Sequence, residues 1–334
     1  MSQTSEKYRV DWLAADRARD AGLVEPADVT AFKDIPYGEF GDWNLLDLYM
    51  PKGTAEKGAS PKYSAEKCAK ANGFKNEASQ KQPVIISIHG GAFVYGQKET
   101  YKFYLMSLAQ RGFACVNFNY RLAPEYKFPA ALEDTDAVLH WVLENADKYN
   151  LDTENIFMVG DSAGANYAAL YAIYCVNSEY AKRGQDASKK WFGKPAAINP
   201  PPGFVPRAVA LNCGLYDLSE DRDNHADIMQ DLFGEHLEEC CEYLNVMDYL
   251  TADFPPAFVM TGEYDFLKLQ NRHMDKALSK LNLPHIFKSY GTPETKEISH
   301  VFHVNMKIPL AHLCNDEECE FFKGSMGRIQ RCLN

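Results

Sequence analysis

A serine stands where an apolar run gives way to a helix-like pattern. In "IFMVGDSAGANYAAL", residues 156–170, the apolar run stops at Gly160 and Ser162 lies between small residues. This stretch fits the pattern G-x-S-x-G, in which the chain turns sharply from strand into helix and lifts the serine hydroxyl clear of the backbone. The first amides of the following helix favour negative charge on a substrate oxygen. The pattern therefore predicts that Ser162 is a nucleophile in acyl transfer.

A glycine-containing loop supports this interpretation. "IHGGAFVYG", residues 88–96, follows another apolar run. Consecutive glycines allow backbone N–H groups to come close to a reacting carbonyl, as the oxyanion of acyl transfer requires. The alternative is an ordinary glycine turn at the end of a strand.

An activated serine needs a base within hydrogen-bond reach, and nine histidines compete for that role. "SHVFH", which holds His300 and His303, follows the last apolar run, "HIFKSYG". A loop at that place returns to the sheet edge where Ser162 is expected. We favour His300 over His303, because it comes first after the loop and the following residues already have a helical pattern.

The base needs a carboxylate that orients it. Asp265 in "TGEYDFL" follows the preceding apolar run, so its carboxylate is expected at the same edge of the sheet. Glu263, two residues earlier, and Asp217 after "NCGLY" are the alternatives. The order serine, aspartate, histidine along the chain is that of the α/β-hydrolase arrangement.

Six short apolar runs between residues 83 and 291 predict the strands that position these groups. Longer amphipathic segments separate the runs, for example 129–149 and 163–177. Strands of this kind alternating with helices indicate a mostly parallel sheet covered by helices on both faces. The chain begins with a helical pattern at 8–21, and two short antiparallel strands follow it.

The composition and charge of the chain disfavour some classes of partner. The chain has 334 residues and a net charge of -11, which disfavours nucleic acid and anionic membranes as partners. Its nine cysteines have no metal-finger spacing, so reduced thiols are expected. The polar start does not resemble a signal peptide, and we expect a cytoplasmic protein. A removed leader and homo-oligomer formation are left open.

The motifs together resemble the α/β-hydrolase fold, and within it the hormone-sensitive-lipase-like serine esterases, from about residue 34 to residue 307. The residues that carry the resemblance are "HGGAFVYG", "YRLAPEYKFPAALED", "GDSAG", "TGEYDFL" and "HVF". It implies that Ser162 is the nucleophile, His300 the base and Asp265 its orienting partner. It also implies an oxyanion hole formed by the N–H groups of Gly91, Ala92 and Ala163.

The sequence departs from the family in two places. The usual H-G-G-G loop has Ala92 at its third glycine, which keeps the backbone donor but narrows the pocket and restricts φ. The usual "HGF" is "HVF" at residues 300–302. We interpret Arg121, Glu125 and Asp134 in the "YRLAPEYKFPAALED" segment as structural supports of the glycine loop.

Several segments are expected around the hydrolase domain, 31–334. An N-terminal helical segment, 1–30, with Trp12 and Leu13, is predicted to join a helical cap insertion, 219–253, over the pocket. Surface insertions at 52–82 and 178–207 are predicted at the opposite edge of the sheet, with a solvated or oligomer-contact role. The predicted walls of the pocket are Phe93, Tyr95, Leu215, Met229, Phe233 and Phe302.

The resulting prediction is two-step ester hydrolysis without a metal or organic cofactor. A modest cap favours short acyl chains, acetyl to butyryl, and the related esterases make acetylated or feruloylated sugars candidate small-molecule substrates. A serine peptidase and a non-catalytic ligand receptor on the same fold are the rival interpretations. The receptor is disfavoured because the chain keeps candidates for all three catalytic groups.

Overall fold

The computed structural model describes residues 1–54, 81–218, 226–237 and 241–326. Most of the insertion predicted at 52–82 therefore lies outside the described residues. So do positions 219–225 and 238–240 of the predicted cap insertion. No helix in these four ranges has the length and apolarity needed to cross a bilayer.

Within the described residues, eight strands form one sheet in the order β1-β2-β4-β3-β5-β6-β7-β8. Strands β1 and β2 are antiparallel, β2 is antiparallel to β4, and all other neighbours are parallel. The central strands are apolar and buried on both faces, as expected for a sheet between two layers of helices. The strands are β1 (Val29–Pro36), β2 (Leu45–Pro51), β3 (Gln82–Ile88), β4 (Ala114–Phe118), β5 (Leu151–Asp161), β6 (Val209–Asn212), β7 (Ala257–Gly262) and β8 (His285–Tyr290).

The helices of the described residues alternate with these strands. Two buried apolar clusters, one built around Ile86 and Leu170 and the other around Ile85 and Phe322, reflect the alternation of side chains along the strands. The fold is that of an α/β-hydrolase, as predicted. The helices are α1 (Gln3–Asp20), α2 (Lys98–Gln110), α3 (Ala130–Glu144), α4 (Ala146–Tyr149), α5 (Ala163–Val176), α6 (Ser178–Phe192), α7 (Ala226–Phe233), α8 (Lys268–Lys280) and α9 (Pro309–Ser325).

Polar contacts hold α1 against the rest of the molecule. Ser2 caps the helix by accepting a hydrogen bond from the Ser5 N–H at 3.1 Å. Asp231 on α7 accepts hydrogen bonds from the Ser2 N–H at 2.8 Å and from the Ser5 hydroxyl at 2.6 Å. Further along α1, Arg9 donates to the carbonyl oxygen of Val94 at 2.7 Å. The first helix is therefore tied both to the cap helix and to the glycine loop.

The segment 178–207 differs in part from its prediction. Helix α6 packs against the part of the cap that follows residue 240: the Tyr180 hydroxyl donates to the Tyr243 carbonyl at 3.0 Å, and Arg183 pairs with Glu242 at 2.9 Å. The predicted role was a solvated or oligomer-contact surface. The amphipathic helix buries one side, with Tyr180 and Ala187, within the same chain, and it leaves its polar side exposed.

Candidate active site

The turn that carries Ser162 has the geometry that its motif predicts. Ser162 has φ 53° and ψ -120°, a strained conformation between β5 and α5. A Cβ atom at Gly160 would overlap the carbonyl group of Gly164, and one at Gly164 would overlap the carbonyl oxygen of Ile88. Close backbone approach therefore requires both glycines. A side chain at Gly160 would push the strand away from the first turn of α5, and one at Gly164 would push that turn away from the end of β3.

Ser162, His300 and Asp265 lie together in one chain of hydrogen bonds. His300 Nε2 is 3.0 Å from Ser162 Oγ, and His300 Nδ1 is 2.7 Å from Asp265 Oδ1. The three residues follow β5, β8 and β7, so the carboxyl ends of parallel strands bring them to one edge of the sheet. A bridge between Tyr264 and Ser299 aligns the loops that carry Asp265 and His300.

The environment of Asp265 keeps its carboxylate ionised. Burial alone would raise its pKa, but the hydrogen bond and charge of His300, together with bonds from the Thr261 hydroxyl and the Leu267 N–H, lower the pKa below its usual value. The two supporting bonds measure 2.7 Å and 3.0 Å. An ionised and fixed carboxylate holds the imidazole with Nε2 directed at the serine.

The alternative base and acid lie elsewhere. His303 is fully buried, and neither of its ring nitrogens has a hydrogen-bond partner among the described residues. Burial lowers the pKa of His303 to about 3, and its ring packs edge-on against Tyr104. Glu263 pairs with Lys268 at 2.6 Å, and the backbone N–H of Asp217 donates to Gln270. The structure thus brings His300 and Asp265 to the serine.

The glycine loop presents free backbone donors beside Ser162. Gly91 has φ 123° and a Cβ there would overlap the carbonyl group of Tyr95, so only glycine fits. Ala92 follows at φ 48°. Within the described ranges no protein group accepts a hydrogen bond from the N–H of Gly91, Ala92 or Ala163. Such unpaired donors at the start of a helix and in a tight loop are what an oxyanion requires.

Buried polar groups fix the base of this loop. The Gly90 N–H donates to Asp161 Oδ1 at 3.2 Å and to the Tyr101 hydroxyl oxygen at 3.1 Å. Tyr101 in turn donates to Asp161 Oδ2 at 2.7 Å. Burial raises the pKa of Asp161 to about 6. Asp161, the residue before the nucleophile, therefore connects the serine turn to the glycine loop by hydrogen bonds. The sequence analysis did not predict this role.

The predicted supports of the glycine loop act at a distance from it. Arg121 pairs with Asp134 at 2.9 Å and also with Glu133, which fixes the segment after β4. That segment reaches the loop through the Ala123 N–H, which donates to the Phe93 carbonyl at 3.1 Å.

Glu125 is joined to the glycine loop through Arg9. Its carboxylate accepts two hydrogen bonds of 2.7 Å from Arg9 of α1. Its contact with the loop is therefore indirect, through the N-terminal helix.

A cavity of about 600 Å³ opens over Ser162. Four of the six predicted wall residues line it: Phe93, Tyr95, Leu215 and Met229. The prediction was wrong for Phe233 and Phe302. Phe233 ends α7 and packs against Phe128. Phe302 lies in a short 3₁₀ turn after Val301, whose φ of 53° redirects the chain, and it packs against Tyr290 in the core beneath the sheet.

Helix α1 and the loop after Asp265 supply wall residues that sequence reasoning did not assign. Tyr8, Asp16 and Arg19 join the expected Trp12 on the cavity side of α1. The spacing of Tyr8 and Trp12 by four residues was the available signal, because it places both rings on one helical face. Phe266 covers the His300 ring at 4.3 Å between ring centroids, although 69% of its surface is exposed.

Cys213, Asp265 and His300 are the described residues that could be grouped as metal ligands, since their donor atoms lie within 4.8 Å of one another. His300 Nδ1 and Asp265 already share a hydrogen bond. Burial raises the pKa of Cys213 well above its usual value, so its thiol is neutral. This donor set is suited to orienting an imidazole rather than to holding a cation.

Solved structures share the fold across almost the whole chain. Esterase B from Lactobacillus rhamnosis superimposes with a TM-score of 0.76 at 23% identity, covering 96% of this chain and 94% of that one. An esterase from Pyrobaculum calidifontis gives a TM-score of 0.67 at 22% identity, covering 97% and 94%.

Two curated relatives have the same sequence identity to this chain but differ in how much of their length it matches. An acetyl esterase of Salmonella schwarzengrund is 28% identical over 249 residues, 73% of each chain. Esterase LipQ of Mycobacterium tuberculosis is 28% identical over 242 residues, which are 70% of this chain but 48% of that protein. This chain therefore matches about half the length of LipQ.

Fold, relatives and side-chain geometry define the class of the protein, an α/β-hydrolase esterase. The BD-FAE family matches residues 74–275, more than half of the chain. The chain belongs to the BD-FAE family.

Proposed function

We propose that the protein hydrolyses short-chain carboxylic esters through an acyl-enzyme intermediate on Ser162. The observation that carries the proposal is the line from Asp265 through His300 to Ser162, with bonds of 2.7 Å and 3.0 Å. It lies next to backbone N–H groups that have no acceptor in the part of the chain that the structure describes. A nucleophile, a base and an anion-binding donor set within one cavity are the components of acyl transfer.

The reaction proceeds in two steps in this proposal. Ser162 Oγ attacks the ester carbonyl carbon while His300 Nε2 takes the hydroxyl proton, and the N–H groups of Gly91, Ala92 and Ala163 stabilise the oxyanion. His300 then gives its proton to the departing alcohol oxygen. A water molecule, deprotonated by His300, attacks the acyl-serine, and collapse of the second oxyanion releases the carboxylic acid and restores the serine.

The size of the cavity bears on the substrate. About 600 Å³ is more than an acetyl or butyryl group fills, so the space also accommodates much of the alcohol. Side chains of helix α1 line this space, and we expect them to limit the length of a straight acyl chain. The acetyl esterase of Salmonella supports acetyl transfer as the simplest case. Acetylated and feruloylated sugars are the natural esters that we propose for this volume.

A chain-length series of p-nitrophenyl esters, acetate to laurate, tests the proposal on the intact protein. We expect kcat/KM to be highest for acetate to butyrate and to fall with longer chains. Ser162→Ala should lose at least about 10³-fold in kcat. Ser279→Ala is the matched control, because Ser279 lies at the exposed end of α8 and bonds His285. Binding of esters without turnover would favour a receptor instead, and equal rates for Ser162→Ala and wild type would exclude this nucleophile.

A further inference from the structure

The acidic side chains around the cavity outnumber the basic ones. Besides His300, the described residues contribute Asp16, Arg19 and Asp161 to its lining. Two carboxylates therefore face one guanidinium group. Asp161 lies beside the nucleophile, whereas Asp16 and Arg19 come from α1, which covers the cavity.

The charge of Arg19 is already used by the protein. Its guanidinium donates two hydrogen bonds to Asp20, at 2.7 Å and 2.8 Å, and one to Asp16 at 2.8 Å. A further bond goes to the carbonyl oxygen of Thr100. These contacts occupy four of the five N–H groups that arginine carries. Arg19 is therefore one cation shared by the carboxylates of Asp16 and Asp20, and these three side chains together keep one negative charge. A carboxylate on a substrate would find little free positive charge here.

Asp16 remains short of compensating charge in spite of its partners. Its carboxylate accepts hydrogen bonds from Arg19 and, at 2.6 Å, from the Tyr95 hydroxyl. Burial nevertheless outweighs both and raises the pKa of Asp16. A cation placed in the cavity would supply the charge that this half-buried carboxylate lacks, because Coulomb attraction is stronger at a partly desolvated site than in bulk water.

The remainder of the wall is rich in aromatic rings. Trp12 stacks on Tyr8 at 4.0 Å between ring centroids and meets Tyr95 edge-on at 5.7 Å. Phe93 and Phe266 line the same cavity. Aromatic faces attract quaternary ammonium groups and alkylated amines, and they give nothing comparable to an anion.

We propose that this cavity selects its esters by charge: it prefers an ester whose alcohol carries a quaternary ammonium group over the neutral isostere, and it rejects an ester that carries a carboxylate. The proposal rests on the esterase function proposed above and names the substrate class of the same site. Asp16 and the aromatic rings of α1 are its specificity-determining residues.

Three acetate esters with one skeleton test the proposal on the whole protein. Acetylcholine carries a trimethylammonium group, 3,3-dimethylbutyl acetate carries a tert-butyl group in its place, and 3-acetoxypropanoate carries a carboxylate. Release of acetic acid is followed by titration at constant pH. We expect kcat/KM for acetylcholine to exceed that of the neutral ester on the order of ten-fold. The anionic ester should be slower than the neutral one by on the order of ten-fold or more.

Two variants of α1 separate a specific effect from a general one. Asp16→Asn should lower the ratio of acetylcholine to neutral ester toward one. Asp11→Asn should keep the wild-type ratio, because Asp11 pairs with Lys7 on the exposed side of the same helix. Thermal unfolding of both variants checks that α1 remains folded. Added salt should reduce the wild-type ratio more than that of Asp16→Asn.

The outcomes are distinguishable. Equal rates for acetylcholine and the neutral ester, a fast anionic ester, or an unchanged ratio in Asp16→Asn would overturn the charge proposal. If p-nitrophenyl acetate is hydrolysed but none of the three esters is, the charge proposal fails and the esterase function stands. If p-nitrophenyl acetate is not hydrolysed either, the proposed function itself fails.

Discussion

The backbone N–H of Ser162 donates a hydrogen bond to the carbonyl oxygen of Asn212 at 3.0 Å. The Asn212 side chain is held in turn by Glu318 of α9, through a bond of 2.6 Å from Nδ2 to the carboxylate. Tyr104 donates to the other carboxylate oxygen at 3.0 Å. A fully buried acid beneath the sheet thus supports the strand end on which the serine turn rests.

Glu318→Gln should change how stability depends on pH. Burial raises the pKa of Glu318 to about 7 from its usual 4.5. The folded protein therefore holds a proton that the unfolded chain loses, and wild-type stability falls as pH rises from about 4.5 to about 7. Glutamine resembles the protonated acid and has no such loss. The free energy of unfolding is measured in denaturant at pH 5 and at pH 8. Between these two pH values, the difference between variant and wild type should shift in favour of the variant by up to about 3 kcal/mol.

Glu317→Gln is the matched control for this experiment. Its carboxylate is partly exposed, and although burial acts to raise its pKa, hydrogen bonds and charge from Tyr290 and Lys288 lower it. Its contribution to stability is present above its usual pKa of 4.5 and is lost only on acidification below that value. Glu317→Gln should therefore be less stable than wild type by nearly the same amount at pH 5 and at pH 8. The same pH response in both variants would contradict the assignment of a protonated Glu318.

Gly164→Ala should disrupt the serine turn. A Cβ at this position would overlap the backbone carbonyl of Ile88, and backbone cannot give way as a flexible side chain can. We expect a loss of about 3 kcal/mol or more in the free energy of unfolding, with loss of turnover in any folded fraction. Gly184→Ala on α6 is the control, since the nearest atom to its Cβ would lie 3.8 Å away, on the Tyr174 ring of α5. That variant should be unchanged or slightly stabilised. A fully active and stable Gly164→Ala would refute the close approach of β3.

Ala92→Gly tests whether the methyl group of the oxyanion loop matters. Ala92 has φ 48°, which costs an alanine about 1 kcal/mol, while glycine adds a similar entropic cost in the unfolded chain. We expect the two to cancel to within about 1 kcal/mol in urea unfolding. The backbone donor is retained, so kcat for p-nitrophenyl acetate should stay close to wild type. A large loss of kcat would show that the methyl group itself shapes the site.

Asp231→Ala should loosen the N-terminal helix. Asp231 accepts hydrogen bonds from the N–H and hydroxyl of Ser2 and from the hydroxyl of Ser5, and these bonds join the first turn of α1 to α7. Their loss should cost about 1 to 2 kcal/mol of α1 docking. We expect faster proteolysis within residues 1–20 and a higher KM with little change in kcat. Glu235→Ala, at an exposed site next to His236, should leave both unchanged. An unaltered KM and digestion rate in Asp231→Ala would contradict the contact.

The sequence allowed the positions of Ser162, Asp265 and His300 to be predicted because each follows a strand of a parallel sheet, and parallel strands end at one edge. Wall residues were harder to predict. Phe302 lies two residues from His300 but faces the opposite side of the sheet, since a left-handed residue redirects the chain between them. Asp16 and Arg19 lie on a polar helix, where no hydrophobic pattern indicates which face covers a cavity.

Covalent acylation of Ser162 is the central step of the proposed mechanism. Wild-type protein mixed with p-nitrophenyl butyrate and quenched in acid within milliseconds is digested, and its peptides are identified by mass spectrometry. We predict one butyryl group on the peptide that contains Ser162. A butyryl group on another residue, or rapid turnover without acylation at position 162, would contradict the mechanism.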